Sequence, residues 1–409
     1  GRVLNPQNAR GSGDGGGHGR RTGLIVSAEG DFGVRCLDRA AAAALRVPAV
    51  LATALALLRP QAAEAKTVIR VQSVIPLDAD EVVLLRDFAK DVFDLTGGEV
   101  AFEILPPGAV VGVGDTLDAV DQGLVEAGFA WTHYWSDRPP AATLFGSPSA
   151  GAGVGLDNLS WIAWCLHGGG SQLYDRLWDE IGVNVKGFIL QPGGPEPLGW
   201  FKEPIDGLED FRRLRFRSPP GIPGHIYTAI GVTAVPLPGG EILPALAQGA
   251  IDAAEWAGPK ADSVFGLQKL LKHYYLQGLH QNVVNADIYI NRDVWNGLTA
   301  LQRKAIEVSA NASLIKAQSH HIAENGKALK ELVETDGVIL HDTPKDILEA
   351  YAAAALTVFE RHAAENAFFK EVWDSQRAFS AYATPFWANA QRSNASVTGA
   401  YAATLAAGK

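Results

Sequence analysis

TVIRVQSVIPLDADEVVLLRDFAKDVFDLTGGEVAFEIL, residues 67–105, holds the pattern that decides the fold class. It begins as a strand and ends in VAFEIL, which follows a strand period of two. Between these ends, residues 80–95 place Phe88, Val92 and other apolar side chains at three- and four-residue spacings, and two glycines end this helical pattern. TLDAVDQGLVEA then reads as a helix and GFAWTHYW as a strand. Strands alternating with helices predict a parallel sheet and the α/β class.

A second series of the same kind begins near Val185. VNVKGFIL, LGWFK, LRFRS and VTAVPL read as strands, whereas IDGLEDFR, IPGHIYTAIG and GEILPALAQG read as helices. AIDAAEWAGP is predicted to be a strand that runs into a loop, and beyond Leu298 the chain is mostly helical. Two α/β units with a helical C-terminal region predict two lobes that face each other across a cleft.

Composition and motifs exclude several classes of function. The 409 residues carry a formal net charge of -10, which argues against nucleic-acid binding because phosphate recognition needs clustered Lys and Arg. Two cysteines, Cys36 and Cys165, provide neither a disulfide framework nor a cysteine zinc site. The sequence contains no G-x-S-x-G, H-E-x-x-H or P-loop motif.

The N-terminal region is predicted to be removed on export. Residues 1–33 are rich in Gly and Arg and are expected to be a disordered leader. Residues 34–65 combine basic residues, the short apolar run VPAVLATALALL and the small residues Ala63 and Ala65. This order is typical of a secretory signal peptide, with cleavage before Lys66. The alternative is that the apolar run forms a helix of the mature fold.

Three charged residues are candidates for a binding site. Arg217 ends the strand LRFRS, where ligands of open α/β sheets bind, and its guanidinium could hold a carboxylate; it could equally be a surface Arg. Glu255 follows a short apolar strand and could be a metal ligand or a pocket wall. Glu196 lies in the tight loop GGPEP. Each glutamate, taken alone, could also be a solvated loop residue.

Several long stretches carry a family resemblance. LPPGAVVG, LDAVDQG, GPEPLGWFKEPI, GLEDFRRLRFR and PLPGGEILPALAQGAIDAAEW are similar to solute-binding proteins of TRAP-type (tripartite ATP-independent periplasmic) transporters. The resemblance covers nearly the whole chain after residue 65 and is strongest to the branch that binds 2-oxo acids or lactate with a cation. It implies two α/β lobes, residues 66–189 plus 284–325 and residues 190–283 plus 326–409, that close on the ligand like a hinge.

The resemblance also implies a set of site residues. Arg217 would grip the carboxylate of the ligand, and Glu255 with the backbone carbonyl of Trp256 would bind a cation, Ca²⁺ or Na⁺. Glu196 would be the other cation ligand, at a position where relatives often carry Gln. The remaining ligand-binding residues would be Trp256 itself, Trp131, His133, Tyr134 and His280.

The function implied is that of a periplasmic, non-enzymatic binding protein without an organic cofactor. It would capture a small 2-oxo or 2-hydroxy monocarboxylate such as pyruvate or lactate and deliver it to the membrane permease. Some members of this branch dimerise through the C-terminal helix, here around Phe379 to Trp387. The alternative is a secreted metal-dependent hydrolase that uses Glu196 and Glu255 in the same cleft. A binding protein of an ATP-driven importer would share the architecture but not these motifs.

Overall fold

The computed structural model describes residues 67–219, 221–237 and 239–406. The predicted leader, the predicted signal peptide and the predicted cleavage point before Lys66 lie outside these residues. Among the helices that are described, none is both long and apolar enough to span a bilayer.

Eleven strands form two sheets within the described residues. In chain order they are β1 Thr67–Ser73, β2 Val100–Leu105, β3 Ala127–Trp131, β4 Val185–Gly193, β5 Gly199–Phe201, β6 Arg215–Ser218, β7 Thr233–Pro236, β8 Ala253–Ala254, β9 His273–Tyr275, β10 Val284–Asn291 and β11 Ile339–His341.

The described helices lie between and after these strands. They are α1 Asp80–Leu95, α2 Thr116–Asp121, α3 Ala142–Gly146, α4 Asn158–His167, α5 Gly170–Ile181, α6 Leu208–Arg212, α7 Ile222–Ala229, α8 Gly239–Ala247, α9 Pro259–Phe265, α10 Arg292–Gly297, α11 Ala300–Glu334, α12 Lys345–Glu365 and α13 Ala367–Ala406.

Each sheet is the centre of one lobe. The first has the strand order β2-β1-β3-β10-β4, and the second β11-β9-β5-β8-β6-β7. Strands β1, β2 and β3 pair in parallel, as the strand–helix alternation predicts, but β10 runs antiparallel to both β3 and β4. The second sheet is also mixed, because β5 runs antiparallel to both of its neighbours, β8 and β9. The two-lobed α/β architecture is as predicted.

Two of the segments in which the chain crosses between the lobes lie next to each other. The chain leaves the first sheet after β4 through residues 194–198 and returns between β9 and β10 through residues 276–283. The backbone N–H of Glu196 donates to the carbonyl of Gln281 at 3.0 Å, which ties the two segments together. Helix α11 packs against α1 and β4 of the first lobe and against α9 of the second.

Local patterns predicted some elements closely and missed others. Helix α1 has the predicted bounds, and it buries Val82, Phe88 and Val92. The helix predicted over residues 116–127 was too long, since α2 ends at Asp121 and Gly123 takes a φ of +71°. The strand predicted at AIDAA is reduced to the two residues of β8. Helix α4 was not predicted, because its sequence NLSWIAWCLH is largely apolar without a clear one-sided period.

The C-terminal helices pack on different neighbours. Helix α12 contacts α7, whereas the first half of α13 packs against α4 and α5 next to the first sheet. Trp373 of α13 donates through Nε1 to the carbonyl of Ala152 at 2.8 Å. The predicted lobe boundaries remain a proposal, and these contacts favour counting α13 with the first lobe.

Candidate ligand and cation site

Two neighbouring strands of the second sheet bring Arg217 and Glu255 together. Strands β6 and β8 run parallel, with Arg217 opposite Ala254 in the register. Arg217 lies near the carboxyl end of β6 and Glu255 directly follows β8, so both side chains emerge at the same edge of the sheet. Both are buried, with 6% and 1% of their surface exposed. Arg217 is therefore not one of the surface arginines that surround it in sequence.

The guanidinium of Arg217 is held by a dense set of hydrogen bonds. Its Nη1 donates to Oε1 of Glu255 and, at 3.2 Å, to the backbone carbonyl of Glu255. Its Nε and Nη2 donate to the carbonyl of Leu237 at 3.1 and 3.0 Å. Four of its five N–H groups are thus engaged within the protein. A ligand carboxylate can gain the bidentate fork only if Glu255 releases Nη1.

A second set of buried groups meets beside this ion pair. One side-chain ligand atom from each of Glu196, Glu255 and His280 lies within 4.8 Å of the other two. His280 Nε2 is 3.3 Å from Oε2 of Glu196 and 3.7 Å from Oε2 of Glu255. These are ion contacts, but none of the three buried atoms has a hydrogen-bond partner of ordinary geometry. Buried polar atoms normally have partners, so this cluster fits a bound cation.

The crossing segments explain why Glu196 and His280 meet although they are far apart in sequence. Glu196 lies in the segment that leaves the first lobe, and His280 lies in the segment that returns. Gly278 allows their close approach, because a Cβ there would collide with the backbone carbonyl of Glu196. The hydroxyl of Ser149 donates to the carbonyl of His280 at 2.7 Å and fixes the returning segment.

The electrostatics of the cluster favour positive charge. Burial raises the pKa of Glu196 to about 8, and the charge of Glu255 adds to this effect, although His280 opposes it. Burial alone would lower the pKa of His280, but the adjacent Glu196 and Glu255 outweigh it and raise this pKa to about 9. Two carboxylates that share a buried space hold a proton or another cation strongly.

The predicted aromatic residues take different places. Trp131 ends β3 and packs against Tyr134, with ring centroids 5.2 Å apart. Tyr134 is 45% exposed, so its ring borders solvent. The Trp256 ring lies beside Arg217, with Cζ of Arg217 5.4 Å from the ring centroid.

His133 has a different environment from its aromatic neighbours. Its Nδ1 is buried without a hydrogen-bond partner, and burial lowers the pKa of His133 to about 4. The imidazole is therefore neutral near pH 7 and contributes no positive charge toward an anion. Its ring packs edge-on against Tyr134.

The sequence did not predict two contacts of the site, nor the contacts that His280 makes with the two carboxylates. The Tyr227 hydroxyl lies 3.1 Å from Nδ1 of His280, and the Leu237 carbonyl accepts from Arg217. Tyr227 belongs to the buried side of α7, and no local signal distinguishes it from a core aromatic. His280 was expected to line the ligand pocket, which stays a prediction, and the structure places its Nε2 beside Glu196 and Glu255.

Two cavities of the described chain lie away from this site. One, of about 230 Å³, is bordered by α4, α5, β4 and α11. The other, of about 240 Å³, lies behind the crossing segments and is lined by Pro195, His321 and Asn325 among others. Neither includes Arg217 or Glu255, so the chemistry of the cleft, not cavity size, identifies the candidate site.

Comparison with known proteins agrees with this architecture. Residues 79–366 match the family described as bacterial extracellular solute-binding protein, family 7. A monocarboxylate 2-oxoacid-binding periplasmic protein of a Nostoc species is 31% identical over 291 residues, which cover 71% of this chain and 78% of that protein.

Two crystal structures of TRAP solute-binding proteins are also similar. One, from Bordetella bronchiseptica, is a mixed-occupancy dimer with copurified calcium and picolinate in one active site, whereas the other site is apo. Its sequence is 25% identical, the match covers 84% of this chain and 100% of that chain, and the TM-score is 0.75. The other, from Pseudoalteromonas atlantica with bound sodium and pyruvate, is 21% identical, covers 81% and 98%, and has a TM-score of 0.73. The second likeness shows the fold alone.

The fold is that of a two-lobed solute-binding protein with a mixed sheet at the centre of each lobe. The chain belongs to family 7 of the bacterial extracellular solute-binding proteins, and within it to the TRAP type. It is a component of a transport system and not an enzyme, so the alternative of a metal-dependent hydrolase has no support.

Proposed function

We propose that this chain captures a small 2-oxo or 2-hydroxy monocarboxylate, such as pyruvate or lactate, together with a bridging Ca²⁺ or Na⁺. The observation that carries this proposal is the convergence of Glu196, Glu255 and His280 beside Arg217, with three buried ligand atoms that lack hydrogen-bond partners. A cation would satisfy the carboxylates, and the guanidinium would receive the carboxylate of the acid.

The cation would be held by Glu196, Glu255 and the backbone carbonyl of Trp256. Carboxylate and carbonyl oxygens are hard donors, which suit Ca²⁺ or Na⁺ better than softer metals. His280 would orient the two carboxylates from behind, since its other nitrogen, Nδ1, faces the Tyr227 hydroxyl. The calcium in the Bordetella relative and the sodium in the Pseudoalteromonas relative support this choice of ions.

The acid would bind on the exposed side of this cluster. When Glu255 turns toward a cation, Nη1 of Arg217 is released and can join Nη2 in a fork to the carboxylate. An oxygen on carbon 2 would share the cation with that carboxylate. Trp131, His133, Tyr134 and Trp256 would form the walls, with His280 behind the carboxylates, and the 2-oxoacid-binding Nostoc relative supports this class of ligand.

Calorimetric titration after treatment with a chelator tests the proposal. Pyruvate is titrated into the protein without added cation, then with Ca²⁺ and with Na⁺ separately, and acetate serves as the matched control that lacks an oxygen on carbon 2. We expect pyruvate binding to depend on one of the cations and acetate to bind much more weakly. Equal affinity for pyruvate with and without cation would contradict the bridging site.

We further propose that the protein is exported to the periplasm, delivers its ligand to the TRAP permease and dimerises through the C-terminal helix. The sequence pattern before Lys66 supports export, and the exposed Tyr382 and Phe386 of α13 support a contact there. The dimer of the Bordetella relative is in line with this. N-terminal sequencing of exported protein should begin near Lys66, and a start well upstream of Val47 would contradict the predicted processing.

A further inference from the structure

The turn between α3 and α4 has an unusual backbone conformation. Residues 150–153 all lie in the left-handed region, and two of them are not glycine: Ala150 has a φ of +50° and Ala152 a φ of +61°. No other non-glycine residue of the described chain has a positive φ. This conformation is unfavourable for a residue with a Cβ, and it persists only where the surrounding contacts impose it. We call residues 149–155 the support turn.

The inner side of the support turn holds the crossing segment that carries His280. The backbone N–H of Ala150 donates to the carbonyl of Leu279 at 2.6 Å, and the hydroxyl of Ser149 donates to the carbonyl of His280 at 2.7 Å. Two adjacent residues of the turn thus bind two adjacent carbonyls of the returning segment. Ser149 and His280 are fully buried, so a carbonyl that loses its donor there stays unsatisfied.

The outer side of the support turn is held by the C-terminal helices. Nε1 of Trp373 donates to the carbonyl of Ala152 at 2.8 Å, and the hydroxyl of Ser380 donates to the carbonyl of Val154 at 2.7 Å. Both donors belong to α13, and α12 also packs against the turn. The left-handed residues are therefore fixed between α13 on one side and the crossing segment on the other.

These contacts lead from α13 to the candidate cation site. Nε2 of His280 lies 3.3 Å from Glu196 and 3.7 Å from Glu255, and its other ring nitrogen lies 3.1 Å from the Tyr227 hydroxyl. The ring can keep these distances only if its backbone stays in place. The support turn is what holds that backbone, through the bond from Ser149 to the carbonyl of His280 itself.

We propose that Ser149 and Trp373 are positioning residues, which fix the His280 imidazole against Glu196 and Glu255 without touching either carboxylate. Ser149 acts on the backbone of His280, and Trp373 acts one step further out by fixing the support turn. The effect on cation binding rests on the proposed function, in which Glu196 and Glu255 bind the ion. Groups that orient the ligands of a metal typically change its affinity about 10- to 100-fold when they are replaced.

Calorimetric titration of Ca²⁺ alone into chelator-treated protein gives the first test. Ser149→Ala should raise the Kd for Ca²⁺ about tenfold, at the lower end of that range because Ser149 acts through His280. Trp373→Phe keeps an aromatic ring but loses the indole N–H, and it should weaken Ca²⁺ binding by a smaller factor. Na⁺ takes the place of Ca²⁺ if the wild type binds only Na⁺.

Two control variants remove bonds of the same kind elsewhere. Ser313→Ala loses a buried hydroxyl that donates to the carbonyl of Ser309 at 2.9 Å within α11. Trp164→Phe loses a buried indole N–H that donates to Ser375 of α13 at 3.1 Å, a bond in which the support turn takes no part. Urea unfolding should show that variants and controls lose similar amounts of stability, whereas the controls should keep the wild-type affinity for Ca²⁺.

The NMR signal of the isotope-labelled His280 imidazole tests the positioning in the absence of any cation. The signal is assigned by comparison with His280→Gln. We expect it to shift or broaden in Ser149→Ala and in Trp373→Phe and to stay unchanged in both controls, because a merely structural role would lower stability without moving this signal.

The two measurements separate the positioning role from the proposed function. If the wild type binds neither ion, the bridging site is wrong, but the His280 signal still decides whether Ser149 and Trp373 position the ring. An unchanged His280 signal in Ser149→Ala, or the same change in the controls, would overturn the proposal. So would a wild-type affinity of Ser149→Ala for an ion that the wild type binds.

Discussion

Replacing Glu255 by Gln tests the buried ion pair and the cation site in one variant. Glutamine keeps the shape and an acceptor oxygen, but the charge of Arg217 loses its counterpart in a place where only 6% of Arg217 is exposed. Breaking a buried ion pair costs about 3–5 kcal/mol, and the retained acceptor argues for the lower end. At roughly 2 °C per kcal/mol for a chain of this size, the Tm without cation should fall by about 6 °C.

The control is Glu209→Gln, which removes the same charge from an exposed pair with Arg212. A surface pair contributes at most about 1 kcal/mol, so its Tm should change by about 2 °C or less. Thermal melts are then repeated with Ca²⁺ or Na⁺. At a hundredfold excess over Kd, a bound ion adds about 2.7 kcal/mol to the wild type, and Glu255→Gln should lose most of this gain.

Two results would refute the reasoning. If Glu255→Gln melts like Glu209→Gln in the absence of cation, the buried pair does not contribute as the geometry implies. If the cation stabilises Glu255→Gln as much as the wild type, Glu255 is not a ligand of the ion.

Three further outcomes are expected. Arg217→Lys loses the planar fork, so calorimetry should show pyruvate binding weakened by about 10- to 100-fold, from about 1.5–3 kcal/mol, and unchanged affinity would exclude the contact. Glu196→Gln should shift the cation preference toward Na⁺ in the same titrations, because one charge fewer favours the monovalent ion; an unchanged preference would count against Glu196 as a ligand. Burial raises the pKa of Asp287 to about 7 despite the hydrogen bond from Tyr174, so between about pH 4 and 7 the folded state binds more protons than the unfolded state. The stability that Asp287 contributes is then fully present below about pH 4 and is lost as the pH rises to about 7, by up to about 1.4 kcal/mol per unit. Urea unfolding should therefore show a steeper loss of stability over this range in the wild type than in Asp287→Asn, in which Glu196, whose pKa is also raised, still contributes.

The placement of Arg217 and Glu255 could be predicted from the sequence because the argument is local. A strand that ends in a charged residue next to a turn points that residue at the carboxyl edge of a sheet, and two such parallel strands deliver both residues to one place. The mutual pairing of Arg217 and Glu255 was not predicted. It depends on the register of β6 against β8, which no feature of either strand specifies alone.

The meeting of Glu196 and His280 shows more clearly what local sequence patterns cannot predict. His280 and Glu196 lie in loops with no periodicity, and they meet because two of the crossings between the lobes lie at neighbouring points. Tyr227 looked like one more apolar position of a helix until the fold placed its hydroxyl beside His280.

By itself, the sequence determined the α/β class, the bounds of α1, the family resemblance and the charged residues at the strand ends. These depend on hydrophobic periodicity and on contiguous motifs, which act over a few neighbouring residues. Only the tertiary structure decided that β10 enters the first sheet antiparallel and that His280 stands against two buried carboxylates. Such features arise from contacts between residues far apart in the chain. The free energy of these contacts depends on the packing of the whole fold, so they do not appear in the hydrophobic periodicity of any one segment.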